Sequence, residues 1–291
     1  MGQILVDATR GDVVEARHRV HAVAVQDGIV VESAGDPSLV TYFRSSAKPI
    51  QALPVVRARD DLADDEVAIA CASHLARPEQ LEVVRRLLAK APATDDDLAC
   101  GRPPDRIRHD CSGKHAGMLA LCTAMAWSQV GFERPEHRCQ QAMLEEISEA
   151  TGVRPDAIPT ATDGCGVVTF AFPLERMAFA FSRFHDLDGA ARVVTGMGAH
   201  PELVRGPAAA DTVLMQGHPG WIAKGGAEGL LCAASPDGLG LALKVEDGSG
   251  RPVSAALGAF LERLGMNPGG LGPGPVENSR GEVVGEILAV R

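Results

Sequence analysis

The chain has no long apolar run. Among its 291 residues there is no stretch of about 18 consecutive apolar residues, so no membrane-spanning helix is predicted. Asp7 and Asp12 occupy the N-terminal segment where a signal peptide would have basic residues leading into an apolar stretch. The sequence therefore predicts a cytoplasmic protein that neither enters a membrane nor carries an export signal.

Excess positive charge is also absent. The net charge is −10 at pH 7, the basic residues are scattered, and aromatic residues make up 4% of the chain. Proteins bind nucleic acids through clustered basic side chains and stacked aromatic rings. Nucleic acid and anionic membrane surfaces are therefore not expected partners, and a small-molecule ligand is favoured.

Cysteines are present in an odd number and at irregular spacing. There are seven of them, which argues against a disulfide framework. Without an export signal they are expected to be free thiols in a reducing compartment. They are therefore available for packing or for metal binding.

Lysine is scarce. Of 28 basic residues only five are lysine, so 28 − 5 = 23 are arginine; the lysines are Lys48, Lys90, Lys114, Lys224 and Lys244. Arginine cannot lose its proton, so it cannot act as a base or as a neutral ligand. Lys90 ends an amphipathic helix, where a cation suits the helix dipole, and both it and Lys244 are attributed to chance. The other three lie in glycine- or serine-rich motifs, and we predict functional roles for them.

Strand-like segments are concentrated at the two ends of the chain. Residues 20–26 and 29–33 are separated by Asp27-Gly28, a strong hairpin signal, and residues 41–43 could extend the same sheet. Further strands are predicted in the last third, at residues 221–224, 230–234, 239–245 and 283–290. A glycine- and proline-rich loop is expected at residues 269–275.

Helical patterns fill the middle. Helices are predicted at residues 49–58, 114–128, 135–150 and 188–197, with one starting at Pro78 and one late helix at 253–264. Together with the strands this predicts an α+β fold, in which one antiparallel sheet is built from both chain ends beside a central helical lobe. We predict one catalytic unit over residues 1–291, with a sheet subdomain at about 1–70 and 205–291 and the lobe at about 71–204. The active site is expected where the lobe meets the sheet.

The first chemical motif is RSSAKP at residues 44–49, where a strand gives way to a helix. Ser45 and Lys48 are three residues apart, so on a helical turn they share a face. A serine hydroxyl is a weak nucleophile that needs an adjacent base, and a lysine can serve if its pKa is lowered. The alternative is a serine helix cap beside a surface lysine.

The second motif is KGGAEG at residues 224–229. Its glycines let a substrate approach the backbone, and a second lysine would lower the pKa of Lys48 by repulsion. A Ser-x-x-Lys followed by a later Lys-Gly-Gly parallels the penicillin-binding and serine β-lactamase motifs, with Ser73-His74 as the intervening polar pair. The alternatives are a tight turn with an incidental cation, a helix cap at Ser73 and a structural histidine at His74.

Two further motifs could bind a metal. They are HDCSGKHAG at residues 109–117 and DGCG at residues 163–166. Two thiolates and a carboxylate make a reasonable zinc set, to be completed by Lys114, His109 or His115. The alternative is that thiols so distant in sequence never meet and are inert when buried.

These motifs together resemble a known family. FRSSAKPIQALP at 43–54, CASH at 71–74, CSGKHAGML at 111–119, DGCG and KGGAEG occur in the order typical of the Rhizobium-type (class 3) L-asparaginases, whose fold is similar to that of serine β-lactamases and serine glutaminases. The resemblance implies a homodimer that hydrolyses asparagine. It also implies the following site residues: Ser45 as nucleophile with Lys48, a second pair of Ser73 and Lys224, and a zinc site made of Cys111, Lys114, Asp163 and Cys165.

The predicted reaction is release of ammonia from asparagine through an ester on Ser45, with Arg44 and His74 binding the substrate. The sequence departs from the family at residues 75–80, where a small, acidic stretch with a later histidine is usual, at Asp110, where asparagine is frequent, and at Val168, where proline is frequent. Three alternatives stay open: attack by a zinc-bound water, a relative that binds small amides without turnover, and a penicillin-interacting protein.

Overall fold

An eight-stranded antiparallel sheet forms one half of the molecule. The computed structural model describes residues 2–290 and contains strands β1 Ile4–Arg10, β2 Val13–Gln26, β3 Ile29–Ala34, β4 Val40–Tyr42, β5 Thr160–Thr162, β6 Val168–Pro173, β7 Ile222–Gly226, β8 Leu230–Ala234, β9 Gly240–Val245, β10 Gly274–Glu277 and β11 Val283–Val290. In the large sheet the order is β10-β11-β1-β2-β9-β8-β7, and β3 pairs with β2. Both chain ends supply its strands, so the predicted α+β arrangement is confirmed.

The helices lie mostly between the two groups of strands. They are α1 Lys48–Gln51, α2 Leu53–Ala58, α3 Asp64–Ala70, α4 Pro78–Lys90, α5 Ser112–Ala124, α6 Arg138–Thr151, α7 Leu174–Ser182, α8 Ala190–Ala199, α9 Pro201–Val204, α10 Ala210–Gly217 and α11 Val253–Arg263. In the part of the chain that the structure describes, no helix is both long enough and apolar enough to cross a membrane.

The sheet is covered on both faces near its centre. Every residue of β8 and β9 is buried, and helices α7 and α11 both pack against the sheet. Strands that are buried on both faces have mostly continuous apolar sequences, without the alternation of apolar and polar residues seen in half-exposed strands. Phe181 and Phe260, one on each helix, are fully buried in the resulting core.

The N-terminal hairpin forms as predicted. Asp27 and Gly28 both adopt positive φ angles, 52° and 75°, which a two-residue turn between twisted strands requires. The prediction that residues 41–43 extend the same sheet is wrong, because β4 pairs with β6 in a separate three-stranded sheet, β4-β6-β5. A three-residue strand carries no information about its distant partner.

Helices α1–α3 pack against the lobe. Helix α2 contacts α5 and α6, and α3 contacts α4, α5 and α8. These contacts place residues 48–70 with the helical layer, although they precede residue 71 in sequence. The division into two subdomains near residues 70 and 205 stays a prediction.

Candidate active site

Ser45 lies on a single 3₁₀ turn, Arg44–Ala47, that follows β4 and runs directly into α1. The turn sits beside β7, the edge strand of the large sheet. A Cβ at Gly226 of β7 would come within 2.9 Å of Ser46 Oγ, so glycine is needed for this contact. Arg44 has a φ of 48°, in the left-handed region that non-glycine residues rarely adopt.

The three serines of the motifs differ in accessibility. Ser45 is 8% exposed, Ser46 is fully buried, and Ser73 is 2% exposed. Ser46 Oγ donates a hydrogen bond to the backbone oxygen of Lys224 at 2.9 Å, so this hydroxyl holds the turn against β7. Ser45 is therefore the motif hydroxyl with the best access for a ligand.

Lys48 is fully buried and reaches Ser73. Its Nζ donates to Ser73 Oγ at 3.0 Å and to the backbone oxygen of Ala72. The structure thus brings together one lysine and one serine that the sequence assigned to different pairs. Within residues 2–290 no side-chain hydrogen bond joins Ser45 to Lys48, or Ser73 to Lys224.

Lys224 is fully buried on β7. Burial lowers the pKa of Lys224 to about 8; the Asp211 carboxylate opposes this shift, and the charges of Lys48 and Arg205 add to it. Its Nζ lies 3.8 Å from Asp211 Oδ2 and also donates to the backbone oxygen of Gly225. Lys224 can therefore be uncharged at mildly alkaline pH, which a proton acceptor requires.

Asp211 was not predicted from the sequence. It is 1% exposed at the start of α10, and its carboxylate accepts hydrogen bonds from the backbone N–H groups of Gly225 at 2.9 Å and Thr212 at 3.0 Å. An aspartate near a helix N-terminus is common for reasons of the helix dipole alone, so nothing local linked it to Lys224. The tertiary structure alone brings the two charges together.

His74 uses both ring nitrogens within the protein. Its Nε2 is 2.7 Å from Ser112 Oγ, and its Nδ1 accepts from the backbone N–H of Ala76 at 3.1 Å. Burial lowers the pKa of His74 to about 4, and the charge of Lys48 contributes. The ring is therefore neutral, and the structural alternative for His74 is favoured over the predicted contact with substrate.

The residues of the predicted zinc site gather at the start of α5. Lys114 Nζ lies 3.1 Å from Cys165 Sγ, and Cys165 Sγ lies 3.6 Å from Asp163 Oδ2. Ligands bound tetrahedrally at about 2.0–2.3 Å from zinc are about 3.3–3.8 Å from each other, so these spacings are close to those of a site. A hydrogen bond from Cys165 lowers the pKa of Cys111, the charges of Lys48 and Lys114 act in the same direction, and burial opposes them.

Asp163 fits the site less well. Its Oδ1 accepts from Arg44 Nε at 2.6 Å. Within residues 2–290, the set of three His, Cys, Asp or Glu ligand atoms that lie within 4.8 Å of one another is His109, Asp110 and Cys111. Lys114, Cys165 and Asp163 thus lie close together, but Asp163 is engaged by Arg44, and the zinc site stays a prediction.

Lys114 would have to lose a proton to bind a metal. Burial pulls the pKa of its ammonium down, but Cys165, Cys111 and Asp163 together raise it above its ordinary value. His115, an alternative ligand, is fully buried, and its ring lies edge-on to Phe132 with 5.4 Å between centroids. Metal binding through Lys114 would therefore release a proton and weaken at acid pH.

Lys48, Ser73 and Lys224 form the lysine cluster, and Cys111, Lys114 and Cys165 form the cysteine cluster. The two clusters are neighbours. A cavity of about 10 Å³ is lined by Lys48, Lys114 and Gln51 together with small and apolar neighbours. This volume is close to the minimum that one water molecule needs. Lys48 of the predicted catalytic set and Lys114 of the predicted metal set thus line one buried space among helices α1, α2, α3 and α5.

The fold is similar to that of Mglu, a glutaminase whose solved structures include a native form and a glutamate form. The native form aligns with a TM-score of 0.51 and 14% identity, over 86% of this chain and 66% of that one. A second structure, determined in 4.3 M NaCl, gives a TM-score of 0.52 and 15% identity, over 86% of this chain and 62% of that one. The chain thus spans slightly less than two thirds of Mglu, and the predicted glutaminase-like fold is confirmed.

A putative β-lactamase from Bacteroides dorei DSM 17855 aligns over 84% of this chain and 93% of its own, with 14% identity and a TM-score of 0.46. No curated protein matches the sequence. Residues 6–289 match the family described as L-asparaginase II. The chain therefore belongs to the L-asparaginase II family, and the resemblance drawn from its motifs is confirmed.

Proposed function

We propose that the protein is an amidohydrolase that releases ammonia from L-asparagine through an ester on Ser45. Membership of the L-asparaginase II family supports the reaction class. The observation that carries the mechanism is the burial of two lysines next to motif serines: Lys48 Nζ reaches Ser73, and the backbone oxygen of Lys224 holds Ser46, the neighbour of Ser45. A buried ammonium repels its neighbour, so two of them together favour loss of one proton.

Ser45 is the proposed nucleophile because of its position and its access. It lies three residues before Lys48 on a turn held by Ser46, and it is the most accessible of the three serines. A turn that is fixed in this way holds the hydroxyl in one position, which lowers the entropic cost of reaching a geometry suited to attack.

An uncharged lysine is the proposed proton acceptor. Burial and the charge of Lys48 lower the pKa of Lys224 to about 8, so Lys224 loses its proton above that pH. Lys48 is hydrogen-bonded to Ser73. Ser73 is therefore suited to pass the proton from the lysine cluster to the leaving nitrogen.

The steps balance as an acyl transfer. Ser45 Oγ bonds to the side-chain amide carbon while its proton moves to the lysine, and backbone N–H groups stabilise the oxyanion, each contributing about 3–4 kcal/mol. The carbon–nitrogen bond then breaks as the nitrogen takes the proton, and ammonia leaves. Water attacks the ester, with a lysine again accepting the proton, and aspartate is released.

Zinc held by Cys111, Lys114 and Cys165, with Asp163 nearby, is the proposed cofactor. When bound, it would supply a fixed positive charge beside the substrate site. The residues themselves already connect this region to the nucleophile, because Arg44 precedes Ser45 and donates to Asp163 at 2.6 Å. That ion pair holds the nucleophile turn against the DGCG loop.

Ammonia release from a panel of small amides, with and without a chelator, tests the proposal. We expect turnover of L-asparagine by the wild type and loss of at least about 1,000-fold in Ser45→Ala, which removes the nucleophile but leaves its surroundings. Unchanged ammonia release by Ser45→Ala would contradict the assignment. Total, zinc-reversible loss on chelation without an ester intermediate would instead favour attack by a metal-bound water.

A homodimer and a cytoplasmic location stay predictions. Sedimentation of the purified protein tests the first. Residues on β2 and β3, such as Val13, Ile29 and Val31, are at least half exposed and give such an assembly apolar surface to use.

A further inference from the structure

A cavity of about 250 Å³ opens beside β7, on the side of the strand that carries Gly225. Its wall is formed by Gly225 and Gly226, the start of α10 including Asp211, the hairpin between β7 and β8, and the loop before α11. Two arginines, Arg205 and Arg251, also line it. This cavity adjoins the lysine of the proposed site without being part of the serine–lysine cluster.

Neither arginine is neutralised by the protein. Within residues 2–290 no carboxylate forms an ion pair with Arg205 or Arg251, whereas Arg44 and Arg77 are each paired with a carboxylate. The one acid in the wall, Asp211, is 1% exposed, and its oxygens already accept from two backbone N–H groups. The free charge facing this cavity is therefore positive.

Arg205 is the arginine nearer to the chemistry. Its charge is among the causes that lower the pKa of Lys224. The backbone at Arg205 is fixed, because its carbonyl accepts from Gln80 Nε2 at 2.9 Å and Gln80 is fully buried. Beside it, a Cβ at Gly206 would come within 2.9 Å of Leu75 Cδ1, so the segment lies against the loop that follows Ser73.

Arg44, the predicted carboxylate anchor, is already engaged. Its Nε donates to Asp163 at 2.6 Å, and its Nη1 lies 4.0 Å from Glu228. A guanidinium that is paired with two carboxylates has little charge left for a third. Arg205 has no carboxylate partner within residues 2–290. A guanidinium is the side-chain group best matched to a carboxylate.

We propose that Arg205 binds a carboxylate of the substrate and restricts the enzyme to small amides that carry one. The inference rests on the proposed function, since it names the substrate class of the same site. It assigns to Arg205 the anchoring role that the sequence had given to Arg44. The cavity beside it then receives the carboxylate end of the substrate, while the amide end faces Ser45.

Steady-state kinetics on a matched pair of substrates test this assignment. L-asparagine carries the carboxylate, and its carboxamide analogue, aspartic acid diamide, does not. For Arg205→Met we expect KM for asparagine to rise about 10- to 150-fold, the range for loss of a charged hydrogen bond, with kcat changed less. The same variant should change kcat/KM for the diamide by less than about 3-fold. Equal losses on both substrates, or no change in KM for asparagine, would overturn the proposal.

Arg138→Met is the control variant. Arg138 is exposed at the start of α6 and makes no ion pair within residues 2–290, so its loss changes the net charge by the same amount. It should leave KM for both substrates unchanged. If it reproduced the effect of Arg205→Met, net charge and not a specific contact would be the cause.

Calorimetric binding of L-aspartate separates failure of this inference from failure of the proposed function. Aspartate binding that is weakened about 10-fold or more by Arg205→Met supports the carboxylate site even if no amide is hydrolysed. Hydrolysis of asparagine with equal aspartate affinity in both proteins overturns the carboxylate site alone. Absence of aspartate binding to the wild type overturns it as well.

Discussion

Lys224 lies where several charges compete, and the balance among them sets its protonation. Burial lowers its pKa to about 8, Asp211 raises it, and Lys48 and Arg205 lower it. If an uncharged lysine accepts the proton of Ser45, the rate must follow this titration. The surroundings of Lys224 therefore link the geometry of the site directly to the pH dependence of the rate.

The first prediction concerns the acid limb of the pH profile. We expect kcat/KM for asparagine to rise with pH, with its midpoint near pH 8, and to level off above about pH 9, because only the uncharged lysine can accept a proton. Asp211→Asn removes the charge that favours the ammonium, so the midpoint should move to lower pH. A midpoint far from 8 that Asp211→Asn leaves in place would assign the limb to another group.

Several site residues could be predicted from the sequence because lysine is rare in this chain. Lys48, Lys114 and Lys224 were singled out by the scarcity of lysine, and all three are buried. Asp211 could not be found in this way, because aspartates are common and its partner is distant in sequence. His74 is predicted to bind substrate, with a structural role as the alternative, and only the structure reveals that Ser112 and Ala76 occupy its nitrogens.

At the scale of elements, the start of α5 determines how the lysine and cysteine clusters meet. A Cβ at Gly113 would lie 2.1 Å from the backbone oxygen of Ile69 in α3. Only glycine permits this approach, which brings Lys114 close to the end of α3 and to the Ser73 loop beyond it. His74 adds a second connection, because its backbone N–H donates to the carbonyl of Asp110 at 3.1 Å.

The second prediction tests this contact. Gly113→Ala should lower the free energy of unfolding by about 1–3 kcal/mol or more, because the backbone oxygen cannot move aside as a flexible side chain would. Gly198→Ala, in an exposed helical position with open space around it, is the control and should stabilise by about 0.5–1 kcal/mol. Chemical denaturation measures both. Equal stability of the two variants would contradict the close packing of α3 on α5.

Local signals predicted the elements that local chemistry determines. The Asp27-Gly28 hairpin and the bounds of β8 and β11 follow from turn residues and apolar runs. Strand β4 was assigned to the wrong sheet, because pairing with β6 depends on a segment about 130 residues away in the chain. Helix α7 and strand β6 were missed: β6 is buried almost throughout and so shows no alternation, and α7 is amphipathic but only 9 residues long.

On the scale of the whole molecule, the sheet that joins both chain ends provides the edge on which the site is built. The sequence was sufficient to predict that arrangement, because strand-like patterns occupy the two ends and helical patterns the middle. The strand order, and thus the position of β7 at the edge, could not be predicted, because it depends on contacts between distant segments. Burying the lysine ammonium groups costs solvation free energy, which interactions elsewhere in the fold must offset.

The third prediction concerns this cost. Since the pKa of Lys224 is about 8 in the folded protein and 10.5 is the ordinary value, the unfolded chain binds more protons between these limits. The free energy of unfolding contributed by this residue therefore rises with pH across that range, by about 2–3 kcal/mol from pH 7 to pH 10. The measurement is the difference in unfolding free energy between the wild type and Lys224→Met at each pH, in which other titrating groups cancel. A difference that does not change with pH would mean that Lys224 titrates normally.

The central claim is that Ser45 forms an ester with the substrate in a site that contains two buried lysines, and trapping that ester tests the claim most directly. Wild-type protein mixed with L-asparagine is quenched in acid within milliseconds to seconds, digested, and analysed by mass spectrometry. The account predicts an aspartyl adduct on the peptide that contains Ser45, absent from Ser45→Ala and slower to form below pH 8. Rapid ammonia release with no adduct on that peptide, or an adduct on Ser73 instead, would contradict it.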